Sequence, residues 1–317
     1  MLRWHALAVS LVLSFCLSSE ARAQQALACP PPEPPATSEE FVAWLDCTLV
    51  ELQTIWREDV VAGILSTKPD VQRISNLPLT FVSDCDYSPR LIDTDDDGAL
   101  EVVVNARLTI PQMMVSQAVL WYLVAPDTLA DAQAHLTYLD QVLLPTVRQD
   151  QRVCDPDGTA FRYNQVSIPS FFHGAPQQHP LFLGSDSPTT RRIGDFVGGL
   201  PLFFAMIHEA GHAALHVDPP LPSFKVRETQ ADLFAAEVFT GNRVPVTLGL
   251  AYVLLAYDMN IGGARASVAC RIVDLAKQAG VRDAELMADY GQQTVQRLEV
   301  LRLAYIQYYS GRCAAGD

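Results

Sequence analysis

The stretch FFAMIHEAGHAALH, residues 203–216, constrains this chain more than any other. Its apolar residues are so dense that a helix built from it must be buried on most sides. Yet His208, Glu209 and His212 stand in its middle. Burying three such groups without partners is costly, so the fold must place either a cation or a satisfied polar cluster around them. His208 and His212 are four apart and leave the same helical face, where two neutral imidazoles can meet one ion. Glu209 lies one step round, within reach of a water on that ion without being a ligand itself. Pro201 suits the first turn of such a helix.

A tetrahedral catalytic site takes three protein ligands and leaves the fourth position to water. Sixteen residues after His212 comes Glu228-Thr-Gln-Ala-Asp232, opening a second helix that ends near Gly241. Glu228 and Asp232 share a face. One carboxylate can bind the ion while the other holds a ligand imidazole through its second nitrogen. The alternative is a solvated acidic helix start favoured by the helix dipole. His216 continues the stripe of 208 and 212 but lies two turns from His208. That distance makes it a surface histidine or one behind the ligands.

HEAGH followed by ETQAD resembles the gluzincin metallopeptidases, in which HExxH precedes a helix bearing Glu-x-x-x-Asp. QADLFA, residues 230–235, is similar to the form found in membrane-embedded zinc proteases that act on prenylated proteins, and in several groups of exported bacterial metallopeptidase-like proteins. The resemblance covers residues 200–240. It implies a zincin-like helical domain in which His208, His212 and Glu228 bind zinc, Glu209 is the catalytic acid/base and Asp232 stands behind the ligands. The membrane helices of the prenyl-protein enzymes have no counterpart here, so their substrates do not carry over. Asp218 stands six residues past the second His, where metzincin-like sites place their last ligand. Those sites need Gly at the position of Leu215, which disfavours Asp218.

The rest of the chain sets the context. Arg3, an apolar run from Ala6 to Leu17 and Ala21-Arg22-Ala23 predict a cleaved secretion signal over 1–23. Residues 24–37 contain the proline-rich spacer PPPEPPAT. A single domain is expected over 38–317, exported to the periplasm or the extracellular space. It should not stay in the membrane once the signal is removed. Six cysteines remain beyond the signal: Cys29, Cys47, Cys85, Cys154, Cys270 and Cys313. In an exported chain they fit three disulfides, with the pairing open. A net charge of −14 repels phosphate backbones and anionic lipid, so nucleic acid is excluded as a partner.

Residues 79–83 and 100–110 read as strands, with Asp95-Asp96-Asp97-Gly98 turning the chain between them. Helices are expected over 38–56, 112–124 and 128–149, then an irregular segment over 151–199. Helix follows almost to the end, broken at 217–224, 241–245 and 260–263. The composite is α+β, mostly α, with a small antiparallel β-hairpin. Asp93, Asp95 and Asp97 also carry the spacing of a calcium loop, with Gly98 at its sixth position. Val104 replaces the bidentate Glu at position 12, so a plain acidic turn competes with calcium.

These features predict a zinc-dependent peptidase acting on peptide or protein substrates, with Glu209 as general base. The oxyanion donor is open among residues such as Tyr163, His173 and His179. Residues 102–110 offer an edge for a substrate strand, or else a core strand. A non-catalytic zinc-stabilised binding or inhibitory protein is the alternative. A calcium-braced interaction module is a third reading, resting on the 93–98 loop alone.

Overall fold

The computed structural model describes residues 53–82, 86, 88–93, 99–105, 131–143, 145, 188–216, 220–259 and 265–314, with a few residues between 115 and 123. Side chains of the helix over 188–215 are described from Leu200 onward. The described part is mostly helical with one small sheet. The signal, the spacer and Cys29, Cys47, Cys85 and Cys154 fall outside it, as do Asp95, Asp97, Tyr163, His173, His179 and Asp218.

The sheet holds β1 (Leu79–Val82), β2 (Arg90–Asp93) and β3 (Leu100–Asn105), in the order β1-β3-β2. The hairpin is therefore β2–β3, with Arg90 opposite Val103 and Asp93 opposite Leu100. The expected hairpin between 79–83 and 100–110 does not form. β1 runs parallel to β3, with Leu79 beside Val102. Two parallel strands cannot be joined by a tight turn, and the four-residue β2 supplies the reversal. It is too short to alternate visibly, so its sequence carries little strand signal. β3 is central, and Val102, Val103, Val104 and Asn105 are buried. Its backbone edges are both occupied, so it offers no edge to a substrate. Asp93 sits exposed at the end of β2, and Val104, the twelfth position of the candidate calcium loop, is in the core.

Helix α1 (Val61–Thr67) follows a π-turn at Trp56–Val60, and α2 (Ala132–Tyr138) runs into another at Leu139–Leu143. Five longer helices and one short one follow. They are α3 (Pro188–Leu215), α4 (Phe224–Gly241), α5 (Val246–Met259), α6 (Arg265–Ala284), the short α7 (Met287–Tyr290) and α8 (Gln292–Ala314). The chain leaves helix at 220–223 and 242–245, within the breaks that the sequence puts at 217–224 and 241–245, while residues 217–219 and 260–263 lie outside the described residues. A further break between α6 and α8 was not expected. Gly291, at φ 78°, makes the turn there that other residues resist. α3 also begins earlier than the sequence suggests. Residues 188–199 are helical, and Pro201 lies inside the helix rather than in its first turn.

α3 is the organising rod. It packs against α4 on one side and α5 on another, while the sheet reaches it through β2 and β3. Leu200, Leu202, Phe204, Ala205, Met206 and Ala210 are at most 1 % exposed. That enclosure is what the apolar density of 203–216 demands. α6 then lies against α5 and α8, and one of its residues reaches back to α4.

Candidate metal centre

α3 and α4 pack so closely because Gly211 has no side chain. A Cβ there would meet Phe234 Cδ1 at 3.2 Å and the Ala231 Cα at 3.3 Å. The contact brings the faces bearing His208, His212, Glu228 and Asp232 together. His208 Nε2 lies 3.2 Å from His212 Nε2 and 3.4 Å from Glu228 Oε2. His212 Nε2 lies 3.2 Å from Glu228 Oε1. These three residues form a group whose ligand atoms lie within 4.8 Å of one another. A tetrahedral zinc with bonds of about 2.0 Å spaces its ligand atoms about 3.3 Å apart. The nitrogen–nitrogen spacing matches that value, and two imidazoles with one carboxylate make a group that could hold one metal ion.

Each ligand is held from behind. Asp232 Oδ1 is 2.9 Å from His208 Nδ1. Behind His212 stands His216, with the two Nδ1 atoms 3.0 Å apart, and His216 Nε2 is 2.8 Å from Gln230 Oε1. His216 is buried, which removes the surface reading and leaves the one behind the ligands. Arg271, from α6, completes the set. Its Nη1 is 2.8 Å from Glu228 Oε2, and its Nε and Nη2 donate to the two oxygens of Asp232 at 2.8 and 2.9 Å. Arg271 was not identified from the sequence. Its signal was there, as the lone charge in ASVACRIV, residues 266–273, where a buried helix should carry none. Tyr252 of α5 is a second omission. Its ring centre lies 5.8 Å from that of His208, closing one wall.

The charges explain the titration of the cluster. Glu209, Glu228 and Asp232 against Arg271 leave an excess of two negative charges when both rings are neutral. Burial pushes Glu209 up to about 7, with Glu228 and Asp232 adding to that effect and His208 and Arg271 opposing it. Burial opposes charge on His208, but Asp232 and Glu228 outweigh it and raise its pKa to about 10. For Glu228, burial is outweighed by the two histidines, which hold its pKa well below the usual carboxylate range. Asp232 is likewise lowered, against burial, by Arg271 and His208. His212 is lowered, chiefly by burial. The excess draws protons to His208 and Glu209, and a divalent cation would neutralise it.

No family model, curated protein or solved structure matches the chain. Among the described residues, no helix is long and apolar enough to cross a membrane.

Proposed function

We propose that this chain is an exported zinc-dependent peptidase. One observation carries the reading: two imidazole nitrogens 3.2 Å apart, facing the two oxygens of one carboxylate at 3.4 and 3.2 Å, form a triangle of residues beside a buried carboxylic acid that is not part of it. Two nitrogens and one oxygen suit zinc better than a hard cation such as magnesium or calcium, which favours all-oxygen sites. Zinc in such a centre supplies Lewis acidity and a water activated near neutral pH. Glu209 takes the proton of the attacking water and returns it to the leaving amine. A general base works best with a pKa near the working pH, and burial pushes that of Glu209 upward from the ordinary carboxylate value. Asp232 aims His208, His216 supports His212, and Arg271 holds Glu228 and Asp232.

Glu209 also separates this reading from a non-catalytic zinc-stabilised protein. A purely structural centre has no use for a buried acid beside an open coordination position, and burying that acid has a cost. The test is metal analysis of wild-type protein and Glu209→Gln, with a broad peptide library as substrate. The expected result is near-stoichiometric zinc in both. Hydrolysis should be seen only in the wild type, with Glu209→Gln lower by at least about 100-fold. Wild-type protein that carries zinc and cleaves nothing in the library would favour the binding role. Wild-type protein that binds no transition metal would end both readings.

A further inference from the structure

The two ligand imidazoles are backed in different ways. His208 has a charged pair behind it, Asp232 and Arg271. His212 has a neutral chain, His216 and then Gln230. The geometry points to Gln230 as a positioning residue that sets the tautomer of His212 from two hydrogen bonds away. The inference rests on the metal-site reading and is independent of hydrolysis. An amide oxygen can only accept, so Gln230 Oε1, 2.8 Å away, requires a proton on His216 Nε2. A neutral His216 then has a bare Nδ1. That atom accepts from His212 Nδ1–H across 3.0 Å. His212 Nε2 is left with its lone pair free, and it is this atom that faces Glu228 and His208. A ligating imidazole must present such a bare nitrogen, and the partner of its other nitrogen decides which one that is. His216 is buried and Gln230 is exposed, so Gln230 can be changed without opening the core.

Gln230→Glu keeps an acceptor, Gln230→Met removes it without adding charge, and His216→Phe removes the whole relay. Zinc affinity is measured for each full-length protein by competition with a chelator. Ring-nitrogen shifts of the zinc-loaded, nitrogen-15-labelled proteins report which histidine nitrogens carry protons. The expected wild-type pattern is His212 with Nδ1 protonated and Nε2 on the metal, and His216 with Nε2 protonated. Gln230→Met should weaken zinc binding about tenfold and lose the single pattern at His216, as removal of a partner behind a ligand typically does. Gln230→Glu should stay within about threefold of wild type and keep the pattern. Wild-type zinc held through His212 Nδ1 would overturn the relay. So would unchanged affinity and ring signals in Gln230→Met. Zinc binding by the wild type without any peptide hydrolysis leaves the relay standing and defeats only the peptidase reading.

Discussion

Arg271 and Asp232 form a two-point ion pair from different helices, Nε to Oδ2 at 2.8 Å and Nη2 to Oδ1 at 2.9 Å, with both side chains at most 4 % exposed. Through it α6 fixes the carboxylate that sits against His208. Removing one partner of a buried pair leaves the other charge without compensation, at a cost of about 3–5 kcal/mol. Arg271→Gln should lose stability on that scale in denaturant titrations run with a chelator present. Arg271→Lys should fall between, because an ammonium keeps the charge but cannot make the forked contact. A loss under about 1 kcal/mol in Arg271→Gln, the size expected of a surface pair, would mean that Asp232 is held by something else.

The approach of α3 to α4 should be as sensitive as the ligands themselves. Gly211→Ala gains about 1 kcal/mol of helix propensity but pushes a methyl against Phe234 and Ala231, 3.2–3.3 Å away. Overpacking of this kind costs about 1–3 kcal/mol, so the net effect on stability runs from about zero to a loss of about 2 kcal/mol. Gly211→Val adds two more carbons at the same place and must move the helices apart. Glu228 would then lose its distance to both rings. The expected result is zinc binding at least about tenfold weaker in Gly211→Val than in Gly211→Ala. Equal affinities would show that the helix contact does not set the triangle.

The candidate metal centre was largely legible in the sequence because the residues that could hold an ion come from two local motifs. Helical spacing alone puts His208 beside His212 and Glu228 beside Asp232. What spacing could not give was the depth of the support. Arg271 arrives from 39 residues beyond Asp232, through a contact that only tertiary packing defines. His216 was placed along the helix, yet the Gln230 that meets it comes from α4. The fold followed a similar rule. Helical periodicity located the main breaks, whereas the parallel pairing of β1 and β3 is non-local and left no mark in either strand. Pro201 misled because proline favours a first turn but can also sit inside a long helix held by its neighbours.

The disulfide Cys270–Cys313 ties α6 to the last turn of α8, next to Arg271 in sequence. It is one of the pairings open in the sequence, and it closes a loop with a separation of 43 residues. Loops of that size give a stabilisation of about 2–4 kcal/mol. Cys270→Ser with Cys313→Ser should lose about that much. Zinc affinity should stay close to wild type, because α6 and α8 are also joined by Arg302, whose Nη1 donates to Ala276 O at 3.2 Å. A large fall in zinc affinity would instead make the bridge part of the support for Arg271.

His135 predicts an acid limit to stability that is separate from the metal centre. It is fully buried in α2, and its Nε2 is 2.9 Å from Tyr305 Oη on α8. Burial lowers its pKa to about 4 from an ordinary 6.5. The folded state therefore resists a proton that the unfolded chain takes up readily. The stabilisation from keeping this ring neutral is complete above pH 6.5 and is lost as pH falls toward 4. Over that window the loss amounts to about 3 kcal/mol, because each tenfold difference in proton affinity between the folded and unfolded chain is worth about 1.4 kcal/mol. His135→Phe has no such proton to bind. The stability of wild type minus that of His135→Phe, measured by denaturant unfolding at several pH values, should fall by about that amount between pH 7 and pH 4. A difference that stays constant across the range would show that His135 titrates alike in the folded and unfolded chain.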